Sequence, residues 1–231
     1  MTVGIIGYGS VGKFLARRLK AAGISVVVYD HKFKRGSAQD VINLSDIVFF
    51  CVRPQNMRDL LKRIEPKKKI YITAAAAIPS AAYYRLWGKV SLVRIMPALG
   101  GRAPLYYTLG ARLSRVQRSS IRSLLKRIGP IKEIKEEELE AYGYLTSCAP
   151  AIAAELLTRY ADAVAIQSGL AQKDARKTIA EALGVALDRT GDIATKGGIT
   201  EAGLTAIRAH KKIFAKVVNA MTRRTARMKK L

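Results

Sequence analysis

Two glycine-containing stretches hold residue types at spacings that could do chemistry. In "GIIGYGSVGKFLARRL", Gly7, Gly9 and Gly12 stand in G-x-G-x-x-G register between an apolar run and an amphipathic one. A tight turn, a bare backbone and a helix N-terminus in that order let main-chain amides cradle a pyrophosphate, so Gly7, Tyr8, Gly9, Ser10, Val11 and Gly12 are expected to bind a dinucleotide. The second stretch, "TKGGITEAGL" at 195–204, sets Gly197 and Gly198 between Thr195, Lys196 and Thr200. Paired glycines admit a bound group close to the backbone, and amides opening the next helix can face an anion; a plain helix–loop–helix turn with a glycine cap is the alternative.

The elements that must position these residues are legible as periodicity. Short apolar runs predict strands near 2–6, 24–29, 46–52, 69–74, 90–96, 104–109 and 130–134. Amphipathic stretches predict helices over 11–22, 37–43, 54–64, 79–87 and 114–128. This alternation reads as an α/β, doubly wound parallel sheet of the Rossmann type over residues 1–134. From 136 the strand signal stops and only helical periodicity remains, so an all-α second domain is expected over 135–231. Its alanine-rich helices have too many small apolar positions to face water, which implies close helix packing or a subunit interface. The block Glu136, Glu137 and Glu138 reads as negative charge at a helix N-terminus marking the boundary. Pro150 is expected to break the helix that precedes it.

The second strand ends in Asp30, placed to accept from adenosine ribose hydroxyls and so pointing to NADH. His31 and Lys32, with Lys34 and Arg35 beyond, could instead hold a 2′-phosphate, which leaves NADPH open; a solvated loop is the alternative for these bases. "CVRPQNM" and "ITAAAAI" follow further strands, at the rim where such sheets bind ligands. Small residues there would let a nicotinamide lie close to the backbone.

Composition narrows the classes. The chain has 41 Lys and Arg against 17 Asp and Glu in 231 residues, a formal net charge of +24. The bases are spread over many helices with no aromatic-interleaved tract, so a solvated surface that steers small anions is expected, and not nucleic-acid binding. Apolar runs are far short of a membrane span, and "MTVGIIG" enters a strand at once, which suggests a cytoplasmic protein without a leader. Cys51 and Cys148 form neither metal-ligand spacing nor a disulfide framework, and no metal is expected. His31 lies beside the ribose position and His210 in a solvated "RAHKK" stretch, so neither is placed as a general acid.

The ordered landmarks resemble those of the pyrroline-5-carboxylate reductase family. After the glycine loop come Val52-Arg53-Pro54-Gln55, Thr73 through Ile78, Arg94-Ile95-Met96-Pro97, Ser147-Cys148-Ala149-Pro150-Ala151 and Thr195-Lys196-Gly197-Gly198-Ile199-Thr200. The resemblance implies an α-helical dimerisation domain, a homodimer, and NADH- or NADPH-dependent reduction of a cyclic imine carboxylate in proline biosynthesis. It further implies cofactor contacts at Val52, Arg53, Pro54, Ala75, Ala76, Met96 and Pro97, a substrate carboxylate at Thr195, Lys196, Gly197 and Gly198, and a catalytic Thr200 on the imine nitrogen. Lys196 has a second reading, as a lysine pointing to solvent.

The chain departs from the family pattern at several places. Ala98 replaces Asn, Ile152 replaces Tyr, Ala77 replaces Gly, and Thr195-Lys196 replaces Ser-Pro. Another cyclic imine, a coenzyme-F420:NADP oxidoreductase-like reaction, or a non-catalytic dinucleotide- or nucleic-acid-binding role are therefore alternatives. A β-hydroxyacid dehydrogenase is disfavoured, because Lys216 and Asn219 are too close together and no matching glycine motif precedes them.

Overall fold

The computed structural model describes residues 1–33, 36–98, 103–186, 220 and 223–229. Its first compact unit comprises Met1–Cys148 with Thr225–Leu231, and its second Ala149–Arg224.

In the first unit, strands β1 (Thr2–Ile6), β2 (Ser25–Tyr29), β3 (Ile47–Phe50), β4 (Ile70–Thr73), β5 (Ser91–Met96), β6 (Leu105–Leu109) and β7 (Ile131–Glu133) form one seven-stranded sheet in the order β2-β1-β3-β4-β5-β6-β7. Helices α1 (Ser10–Ala21), α2 (Ala38–Leu44), α3 (Pro54–Arg63), α4 (Ser80–Trp87) and α5 (Arg115–Ile128) connect them. The elements lie where the periodicity put them, to within a residue or a few at each end.

One pairing departs from an all-parallel sheet: β6 runs antiparallel to β5, with Val93 opposite Leu109 and Met96 opposite Tyr106. The segment 97–104 between them is shorter than the dozen or so residues a parallel crossover needs. The chain therefore turns back beside the strand it has just left.

Alternate strand residues feed opposite layers. Val3, Ile5, Phe49, Ile72, Val93, Ile95 and Tyr107 pack with Leu15 and Leu19 of α1 and Ile121, Leu124 and Leu125 of α5. Ile6, Val48, Phe50, Tyr71 and Leu92 pack with Val41 and Ile42 of α2, Met57 and Leu61 of α3 and Tyr83 of α4. With both faces covered, continuous apolar strands are what the fold requires.

The acidic segment forms a 3₁₀ turn, Glu136–Glu138, followed by α6 (Leu139–Gly143) and a π-helical turn, Tyr144–Cys148. Leu139 packs on Met96 and Tyr106, so this stretch lies on the sheet. The break expected at Pro150 is absent, because α7 (Ala149–Ser168) follows the π turn directly. Proline lacks the amide an α-turn would use, and a widened turn accommodates that loss.

In the second unit, α7 packs on α8 (Gln172–Ala186) through Ala161, Ala165 and Ala175, with Arg176 bonded to both Asp162 oxygens at 2.6 and 2.7 Å. Among the described residues no helix is long and apolar enough to cross a membrane.

The end of α2 lacks a glycine cap, and Lys69 takes that role by donating from its ammonium to the carbonyls of Ile42, Asn43 and Ser45. A charge donating to several C-terminal carbonyls also complements the helix dipole. Lys69→Met should therefore lower stability by about 2 kcal/mol, read as the shift of a urea unfolding curve at unchanged slope.

Candidate dinucleotide cleft

The glycine loop is held to the sheet by contacts only glycine permits. Gly7 has φ +98°, and a Cβ there would lie 2.7 Å from the Cys51 carbonyl group. A Cβ on Gly12 would lie 2.0 Å from the Gly7 carbonyl oxygen, so α1 seats directly on the turn. Gly9 differs, since a Cβ there would meet nothing within 4 Å. The protein gains nothing internally from its bareness. Gly9 caps α1 with no side-chain hydrogen bond, and the first turn of α1 has no acidic residue, so the residues that cap it offer its amides no side-chain acceptor. A pyrophosphate fits this arrangement of free amides, open space and positive helix end.

Asp30 at the end of β2 ties the loop down. Its carboxylate accepts from the amide of Tyr8 at 2.7 Å and from the amide of Lys32 at 3.1 Å, and faces His31 Nδ1 at 3.2 Å. Burial works to raise its pKa, but the two amides, His31 and Lys32 outweigh it and hold the carboxyl below its ordinary value. Asp30 is thus ionised at neutral pH.

Two adjoining cavities, of about 490 and 610 Å³, share Gly7, Asp30, His31, Val52 and Asn56 and form one cleft across the ends of β1, β2 and β3. Tyr8, Gly9, Lys32 and Arg53 line the larger. Ser10, Val11 and Gly12 begin α1 beneath it. Pro54 instead borders a separate cavity of about 380 Å³ beside α3 and α4. Ala75 is buried in the core, and Ala76 packs against the cluster of Met96, Tyr106 and Leu139. Met96 and Pro97 lie at the end of β5, away from the cleft lining. Thr195, Lys196, Gly197, Gly198 and Thr200 lie outside the described residues, as do Lys34 and Arg35. Cys51, whose thiol burial pushes up to about 12, stays protonated beneath the loop.

A buried charge organises the rim at β4 and β5. Arg94, 2% exposed, lies between Thr73 and Thr108 in the register of the sheet. It donates from Nη2 to Glu140 at 2.7 Å and from Nη1 to Glu136 at 3.1 Å. The same Glu140 oxygen accepts from the Ala77 amide at 3.0 Å, and that of Glu136 from the Ser80 amide at 2.6 Å. The two glutamates thereby fix the loop between β4 and α4. Thr73 bonds the Tyr83 hydroxyl at 2.7 Å, and burial raises Tyr83 to about 12.

The family described as NADP oxidoreductase, coenzyme F420-dependent, matches residues 2–77. Pyrroline-5-carboxylate reductase of Pisum sativum is 25% identical over 88% of this chain and 86% of its own length. The Treponema pallidum enzyme is 25% identical over 79% of each. Among solved structures, the Streptococcus pyogenes reductase superposes with a TM-score of 0.83 at 23% identity over 100% of this chain and 99% of that one. The Plasmodium falciparum enzyme, solved with NADP bound, gives 0.81 at 20% identity over 99% and 97%.

Over most of its length the chain is similar to pyrroline-5-carboxylate reductases.

Its departure at Ala77 has a structural consequence. Ala77 has φ +65°, a left-handed conformation that glycine adopts without strain and alanine does not. Sequence reading placed Glu136 at the boundary without a partner and gave Glu140 no role. The available signal was Arg94 itself, a charge inside the apolar strand "SLVRIM" that had to find carboxylates. The α3 residues lining the cleft, Asn56, Asp59 and Arg63, were also missed, although they share one helical face.

Arg94→Met should lower stability by about 3–5 kcal/mol, since it strands Glu140 beside the sheet. Ala77→Gly should instead be close to neutral, because relief of about 1–2 kcal/mol of left-handed strain offsets the loss of one buried methyl at about 0.8 kcal/mol and the about 0.4–1 kcal/mol of added unfolded-chain entropy. Chemical unfolding of the two variants checks both outcomes.

Proposed function

We propose that the chain is an NAD(P)H-dependent cyclic-imine reductase that converts 1-pyrroline-5-carboxylate to proline in the cytoplasm. What carries the reading is the open space over Gly9 beside an uncapped α1 N-terminus. It stands in a chain whose named relatives align over most of its length. The match at residues 2–77 covers the cofactor-binding portion, which reductases of different substrates share, and so does not favour a deazaflavin substrate.

When bound, the nicotinamide cofactor supplies hydride to an electrophilic imine carbon. The chain's own residues bind and orient. The amides at the start of α1, with Gly7, Tyr8, Gly9, Ser10, Val11 and Gly12, take the pyrophosphate. Asp30 retains lone pairs for the adenosine ribose hydroxyls, while His31 and Lys32 supply positive charge suited to a 2′-phosphate. Val52 and Arg53 line the cleft toward the nicotinamide end, whereas Pro54, Ala75, Ala76, Met96 and Pro97 lie off its lining and are assigned to that end by resemblance alone. By resemblance, Thr195, Lys196, Gly197 and Gly198 receive the substrate carboxylate, and Thr200 orients the imine nitrogen. Positioning is the main task of such a site.

We further read residues 1–134 as the cofactor domain and 135–231 as the substrate and dimerisation domain of a homodimer. Leu156, Tyr160 and Val164, spaced four apart on α7, are exposed and form an apolar stripe suited to a second subunit.

The test is oxidation of NADH and, separately, NADPH with pyrroline-5-carboxylate, run beside Thr200→Ala and Gly9→Ala. Turnover with at least one cofactor is expected. Thr200→Ala should lower kcat/KM by at least about tenfold. Gly9→Ala should keep its unfolding midpoint and lose cofactor affinity, because the added methyl enters open space. No turnover with either cofactor, or full cofactor affinity in Gly9→Ala, would overturn the reading.

A further inference from the structure

The sequence disperses its positive charge, and the fold gathers part of it. α1 carries four basic residues and α5 five, and neither helix carries a carboxylate. The two helices bury their apolar faces in the same core layer, Leu15 and Leu19 from one and Ile121, Leu124 and Leu125 from the other. They also touch directly, with Arg127 Nη2 donating to the Ala22 carbonyl at 2.6 Å. Their opposite faces therefore form one surface. On α1, Arg17, Arg18 and Lys20 are exposed; on α5, Arg115, Arg122 and Lys126 are exposed with Ser119 and Ser123 between them.

Part of this charge serves the fold, since Arg127 ties the two helices together and Arg118 donates to the Leu113 and Gly110 carbonyls, but the exposed remainder is concentrated beyond that need. Arg118, Arg122 and Lys126 repeat at four-residue spacing, where like charges oppose helix formation. Arg115 occupies the first helical position of α5, where a cation opposes the helix dipole. Glu133 relieves the repulsion at Arg122, at 2.8 Å. A small anion would need converging donors in a cleft, but this surface is the outer side of two neighbouring helices, and the cavities described above are formed elsewhere. The ligand that fits is an extended, regularly charged polyanion.

We propose that the α1–α5 face binds the phosphodiester backbone of double-stranded DNA without regard to sequence, as a function separate from the reductase cleft. Duplex DNA presents one charge per ~1.7 Å of its axis, and packed helices lie ~8–10 Å apart axis to axis, a spacing comparable with a groove ~12 Å wide. Exposed serines between the arginines add neutral donors to phosphate oxygens. The net charge of +24 supplies a long-range attraction that brings the duplex to this face.

The test uses the full chain and a labelled random-sequence duplex, with anisotropy read between ~50 and ~200 mM salt. A Kd within ~10⁻⁶–10⁻⁴ M and a steep salt slope are expected. The variant Arg17→Gln, Lys20→Gln, Arg115→Gln, Lys126→Gln should lose affinity and reduce the slope by roughly three to four, with its circular dichroism and unfolding midpoint retained. A control, Lys62→Gln, Lys67→Gln, Lys68→Gln, Lys89→Gln, removes as much charge from outside this face and should retain most of the binding. Equal loss in both variants would overturn the assignment to this face. No binding by the parent chain, or tighter binding to vesicles of anionic phospholipid than to the duplex, would overturn DNA as the ligand.

Discussion

A guanidinium inside a sheet has to be answered from within the protein, and Arg94 on β5 sets terms for everything around it. Water cannot reach it at 2% exposure, so its charge is balanced by Glu136 and Glu140, which arrive from the segment following β7. That requirement seats the 3₁₀ turn and α6 on the sheet. It also explains why the loop between β4 and α4 has one shape, since the same carboxylates accept from the amides of Ala77 and Ser80. The Nε of Arg94 is buried without a partner among the described residues, so the network is incomplete and its stability rests on the two ion pairs.

The other edge of the cleft depends on absence of side chains. Gly7 and Gly12 are required by the protein's own packing, because any Cβ would collide with backbone. Gly9 is required by nothing internal. The G-x-G-x-x-G pattern was readable in sequence as a unit, but only coordinates separate the glycines that build the turn from the one that leaves room above it.

Strands were legible as short continuous apolar runs and helices by their amphipathic period, and each connection has the length its topology needs. The antiparallel β6 was also written in the sequence, as a segment too short for a crossover, though periodicity alone did not reveal it. What sequence could not give was convergence across distance. Arg94 and Glu140 lie 46 residues apart and meet because β5 and α6 pack together. The basic residues of α1 and α5 look dispersed along the chain for the same reason, and only their shared core layer places them side by side. Asn56, Asp59 and Arg63 likewise became cleft residues only once α3 was laid against the end of β2.

A departure from the pattern the chain resembles matters according to where it falls. At Ala77 the loop keeps a left-handed turn that glycine would take freely, at a strain of about 1–2 kcal/mol. The Glu140 bond to its amide is charge-assisted and contributes about 1.5–3 kcal/mol, enough to hold the backbone in place. That compensation works only while Arg94 keeps Glu140 oriented. The conformation that glycine secures by its own freedom is here secured by a carboxylate from a distant segment, so the shape of the rim has passed from one residue to a network. Loss at any member of that network would reach the loop through Glu140, although neither Arg94 nor Glu136 lines the cleft itself.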